Sequence, residues 1–203
     1  MPRPNRMTPF GVPEADPARG LFMGNRGHIH RTDRSLSSRR WTTITWVACV
    51  LCFRNRRRSV WGKSYTELFF HDEAVALAAG HRPCAECRRE DYRRFQAAWR
   101  DAHNEAPTAP AMNHRLHADR LSGPAQRRHT ARLADLPDGS FILRADGPAL
   151  VVAGMLHPFM PGGYAPAVAG DPQISATVLT PACTIAVLRA GYRPALALLP
   201  TPC

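Results

Sequence analysis

Two cysteine pairs of identical spacing constrain this 203-residue chain more than any other feature: Cys49-Val-Leu-Cys52 and Cys84-Ala-Glu-Cys87. A Cys-x-x-Cys pair can place two thiolates on one ion, and two such pairs supply the four that a tetrahedral zinc site takes. Six cysteines are too few for a disulfide scaffold of this length, so the paired spacing favours metal over disulfide. Zn2+ is the cofactor this pattern implies, with Cys49, Cys52, Cys84 and Cys87 as its candidate ligands.

The stretch between the pairs has its own punctuation. Asp72 to Ala79 reads as a short helix, with Asp72 as the N-terminal cap and Gly80 as the left-handed residue that ends it. Arg82 and Pro83 then stop the helix and aim the chain into the second cysteine pair. The element therefore runs helix, glycine stop, metal knuckle.

Phe69-Phe70, Glu73-Ala74, Ala76-Leu77-Ala78-Ala79-Gly80, Arg82-Pro83-Cys84 and Cys87 resemble the Ada-type metal-binding domain of DNA-repair methylphosphotriester methyltransferases. The resemblance is dense from Phe69 to Cys87 and extends over roughly residues 46–92. It implies a four-thiolate zinc site. It also implies a methyl-acceptor role for Cys49, by position, and neighbouring arginines that hold the flanking phosphates of DNA. The family spaces its first pair as Cys-x-x-x-Cys beside a proline, whereas here Cys49 and Cys52 sit in an apolar run.

That run, Arg39 to Phe53, is rich in β-branched and aromatic residues and reads as a strand, or two strands joined at the cysteines. On a straight strand positions 49 and 52 face opposite sides, so both can ligate only if the chain bends at Val50-Leu51. The alternative is that one of them, Cys52 before Cys49, is a buried apolar residue. His71, His81 or the His28/His30 pair would then complete the site.

The formal net charge is +11, and residues 1–63 hold 13 Lys/Arg against 3 Asp/Glu. A focused positive field beside a metal knuckle points to a polyanionic partner, DNA or another nucleic acid, bound by release of counterions. Arg54, Arg56, Arg57 and Arg58 form a basic tip, and with Arg82 they are the candidates for phosphate contact. The competing reading is a solvated, partly disordered basic arm. Residues 1–23, proline-rich and without periodicity, are expected to be disordered.

Residues 24–104 form the expected zinc module. Its last part, Cys87 to His103, is an amphipathic helix whose Tyr92, Phe95 and Trp99 share one face and are expected in the core. Met112 to Leu121 is expected as another helix. Residues 111–203 then read as a small β-rich unit, with strands at Ser140–Arg144, Ala149–Ala153, Met155–Met160 and Ser175–Leu179. Thr180-Pro181 opens a final helix that stops at Gly191. Leu188 to Pro194 echoes Leu77 to Pro83 without the cysteines, a shared helix-stop device. The fold class is α+β.

No apolar run is long enough to span a bilayer, so a cytoplasmic protein is expected. Two further function classes follow from the residues. One is a non-enzymatic nucleic-acid-binding protein with a structural zinc. The other is a metal-dependent hydrolase or nuclease built on His114, His117, His129 and Asp119.

Overall fold

The computed structural model describes residues 1–55 and 59–198, and the architecture is α+β. The first sheet contains β1 (Pro4–Met7), β2 (Pro13–Ala15), β3 (Phe22–Asn25), β4 (Val47–Val50), β5 (Leu68–Phe70) and, after helix α1 (Glu73–Ala78), β6 (Arg82–Pro83). Their spatial order is β2-β1-β5-β3-β4-β6. β3 pairs antiparallel with both β4 and β5, while β1 lies parallel to β5 and β6 parallel to β4.

Residues 1–23 are therefore not a disordered arm. β1 adds to β5 at the Arg6–Phe69 register, and Met7 is buried in the core beneath it. The segment has no apolar periodicity because its order comes from pairing with residues some sixty positions away. The strand expected over Arg39–Phe53 is confined to Val47–Val50, with Trp46 buried just before it.

Helix α1 begins as its sequence dictates: the Asp72 carboxylate accepts from the backbone N–H of Val75 at 3.0 Å. It ends in a Schellman arrangement, in which Gly80 takes φ +81° and donates to Leu77, while His81 donates back to Ala76. Every residue of α1 is buried.

Helices α2 (Arg89–His103) and α3 (Ala109–Arg120) follow, then the hairpin β7 (Leu121–Ser122) and β8 (Ala125–Gln126). The second sheet is built from β9 (His129–Arg132), β10 (Phe141–Arg144), β11 (Gly147–Val152), β12 (Met155–Met160), β13 (Gly163–Tyr164), β14 (Val168–Ala169) and β15 (Ser175–Val178), before helix α4 (Ala182–Arg189). Its order is β13-β12-β11-β10-β15-β9, with β14 also on β12. The echo at Leu188–Arg193 is structural: Gly191 takes φ +104° and donates to Leu188, and Tyr192 donates to Val187. Thr180 does not cap α4. Its hydroxyl accepts from the N–H of Phe141 instead, tying the helix entry to β10.

The expected division between residues 104 and 111 does not divide the cores. Phe95, Ala98 and Trp99 of α2 pack with Met112 and Leu116 of α3, Val151, Val178, Val187 and Leu188. Met7, Leu68, Phe70 and the alanines of α1 pack with Phe141, Leu150 and Leu179. Each core thus draws on both halves of the chain. Among the described residues, no helix is long and apolar enough to cross a membrane.

Candidate metal centre

Strand β4 alternates between two environments. Ala48 is buried in the first core, while Val47, Cys49 and Val50 line an open cleft of about 620 Å³. β6 lies parallel alongside, with Ala48 opposite Pro83, and the N–H of Cys84 donates to the carbonyl of Ala48 at 3.0 Å. The parallel register sets Cys84 beside Cys49 although 34 residues separate them in sequence. A turn follows, closed by the N–H of Arg88 donating to the carbonyl of Cys84 at 3.1 Å, and it returns Cys87 to the same place.

The sulfurs of Cys49, Cys84 and Cys87 all lie within 4.8 Å of one another, and each side chain is half-buried. Three thiolates at about 2.3 Å from one zinc ion stand roughly 3.8 Å apart in a tetrahedral arrangement, so small rotations of these side chains accommodate the ion. Backbone donors already point at the sulfurs: the N–H groups of Glu86 and Cys87 at Cys84, and that of Val50 at Cys87. Donors of this kind favour thiolate over thiol.

The three thiols also perturb one another. Cys84 is drawn well down, chiefly because the Cys49 and Cys87 thiols hydrogen-bond to it. Cys49 is pushed far up, first by its bonds to Cys84 and Cys87 and then by burial. Cys87 is lowered by its bond to Cys49, but the bond to Cys84 and burial outweigh this and raise it. One sulfur ionises readily and its charge holds the other protons in place. A divalent cation removes that obstacle, which is why such a cluster suits a metal better than three free thiols.

Cys52, expected as a ligand, is not in the cluster. β4 ends at Val50, and Cys52 beyond it is exposed. The strand does not bend enough to bring positions 49 and 52 to one ion, and Cys52 is not a buried apolar residue either. Nor does a histidine take its place. His28 and His30 meet edge to face, with His30 Nδ1 2.7 Å from the Thr66 hydroxyl. His71 packs against Tyr164, and His81 is wholly buried between Trp46 and Phe70. The hydrolase set is dispersed as well: Arg120 donates to His117 Nδ1, and the Asp119 carboxylate accepts from the N–H of Cys183. Among the described residues, Cys49, Cys84 and Cys87 are the one group placed to share an ion.

The candidate phosphate contacts divide. Arg54 is exposed, its guanidinium 5.0 Å from the Phe53 ring centroid. Arg56, Arg57 and Arg58 lie outside the described residues. Arg82 is not a surface contact: it is buried, and its Nε donates to Asn113 and its Nη1 to the carbonyl of Pro83, both at 2.9 Å. The charge count also conceals Arg26 and Arg120, which are buried on the Trp46 ring at 3.8 and 3.5 Å from its centroid. Both guanidiniums donate to backbone carbonyls, Arg26 to Gly11 and Ala79, and Arg120 to Gly80 and Ile44.

The cleft walls escaped sequence reasoning. Met23 pairs with Cys49 across β3–β4 and with Phe69 across β3–β5, and all three side chains line the cleft with Glu67. Only strand pairing brings them together, and no local pattern encodes it. No known family, curated protein or solved structure matches the chain.

Proposed function

We propose that Cys49, Cys84 and Cys87 hold a zinc ion and that the chain is a zinc-dependent DNA-binding protein acting in alkylation repair. The observation that carries this reading is the convergence of three sulfurs from two strands and a turn within 4.8 Å. The Arg82-Pro83-Cys84 knuckle and its resemblance to the Ada-type domain supply the reaction class, and the basic first third of the chain supplies affinity for a polyanion.

Zinc, when bound, keeps the cysteine sulfurs as thiolates at neutral pH. Cys49 is the acceptor by position, and it lines the open cleft rather than the core. Its sulfur attacks the methyl carbon of a methylphosphotriester, an S–C bond forms and the C–O bond breaks. The phosphate leaves as a diester anion and Cys49 becomes a thioether. Arg54, exposed four residues after β4 ends, is the side chain proposed to contact a flanking phosphate.

The test is methyl uptake from phosphotriester DNA, read by the mass of the cysteine-containing peptides. Uptake on Cys49 that disappears in Cys49→Ser supports the assignment, and uptake that persists in that variant refutes it. A structural-zinc protein is the second reading, favoured by the way the three cysteines lace β4, β6 and the start of α2 together. It predicts salt-dependent DNA binding with no covalent change to any cysteine.

A further inference from the structure

Among the described residues, which do not include Cys203, a zinc ion finds three ligands, Cys49, Cys84 and Cys87, and one coordination position is left over. Zinc takes four ligands, and no His, Cys, Asp or Glu elsewhere in the described residues joins the three sulfurs. The fourth direction is set by what surrounds them. Behind Cys49 and Cys84 stands the β4–β6 backbone ladder, with Ala48 and Pro83 buried against the core. In front lies the cleft of about 620 Å³, whose wall all three cysteines form. Cys52, the nearest candidate in sequence, is exposed and lines no part of that cleft.

We propose that the three-cysteine centre is an open site, with its fourth position directed into the cleft and filled by a small thiol from solution. Three protein ligands with one position left over is the arrangement of zinc sites that bind or transform a ligand, whereas closed structural sites use four. The cleft is within the range of small-molecule sites, and its walls combine Met23, Val47, Val50 and Phe69 with the carboxylates of Glu67 and Glu86. Apolar side chains and carboxylates together disfavour hydrated oxyanions, and a centre made of sulfur selects soft donors. A neutral thiol with a short carbon body meets both conditions. On binding, its S–H bond breaks, the proton passes to solvent and a sulfur–metal bond forms, with no change of oxidation state.

The inference rests on the metal assignment, and cobalt substitution separates the two. The full chain is loaded with one equivalent of Co2+ in thiol-free buffer, desalted, and its sulfur-to-cobalt charge-transfer absorption is recorded before and after addition of 2-mercaptoethanol. Wild type and Cys52→Ser should give the same three-thiolate spectrum. The intensity should rise by about one third in both when the thiol is added, because a fourth sulfur joins three. Wild type that already shows four thiolates and ignores the thiol, with Cys52→Ser losing about a quarter of the intensity, would overturn the open site while leaving the metal centre standing. The open site is equally overturned if 2-mercaptoethanol strips the cobalt from the desalted protein without a ternary spectrum. Cobalt that never binds refutes the metal assignment itself.

Discussion

Gly80→Ala should cost far more than Gly191→Ala, although both glycines end helices in the same way. Each takes a left-handed φ, +81° at Gly80 and +104° at Gly191, for which a side chain costs about 1–2 kcal/mol. At Gly191 that is the whole cost, since an added Cβ meets nothing within 4 Å. At Gly80 the Cβ would stand 2.5 Å from Cδ, 2.9 Å from Cβ and 3.2 Å from Cγ of Arg120. These atoms are near the root of a side chain that is 2% exposed, so it cannot swing aside. Displacing it strains two charged hydrogen bonds at 2.9 Å, to the carbonyls of Gly80 and Ile44, and the stacking on Trp46. A charged bond is worth about 1.5–3 kcal/mol, so Gly80→Ala should lose about 3–5 kcal/mol in total. That is a large share of a typical stability of about 5–15 kcal/mol. Urea unfolding of both variants, with unchanged slope, measures the difference. Losses that agree within about 0.5 kcal/mol would refute the claim that the Gly80 stop is packed against a buried arginine.

Glu73→Gln should destabilise by about 3 kcal/mol, because the buried carboxylate receives Arg88 at 2.8 Å, the Tyr192 hydroxyl at 2.6 Å and the Ala195 N–H at 2.9 Å. A melting temperature unchanged within error would contradict this. Stability should fall as pH drops below about 6.5, the unfolded histidine value. His81 is depressed well below that value by burial and then by Arg26 and Arg120, so only the unfolded chain takes up its proton there. The slope from His81 approaches about 1.4 kcal/mol per pH unit, and His81→Phe should flatten it. Arg54→Ala should weaken DNA binding and reduce its salt slope by about one, with no change in the urea midpoint. Arg82→Ala should do the reverse, since Arg82 is bonded to Asn113 inside the protein.

Features with a local cause were legible in the sequence. Asp72 caps α1, Gly80 and Gly191 stop their helices, and Phe95 and Trp99 bury one face of α2. Each depends on residues within a turn or two of itself. The cysteine cluster was half legible. Cys84 and Cys87 are neighbours through a local turn, but Cys49 joins them only through the parallel pairing of β4 and β6. Cys52 stays away from the site because β4 ends at Val50 and Cys52 beyond it is exposed. The buried arginines were illegible for a different reason. Arg82 reads from the sequence as a phosphate contact, and nothing local marks Arg26 or Arg120 as interior, yet each is held inside by carbonyls, an asparagine or an indole ring that arrive from distant segments. The available positive surface is smaller than the net charge suggests.

Zinc per chain, measured in protein purified without added metal, tests the central claim most directly. About one zinc should be found in wild type and in Cys52→Ser, and it should be lost in Cys84→Ser. Soluble, reduced wild type with no zinc would contradict the account, as would zinc that survives Cys84→Ser or departs with Cys52.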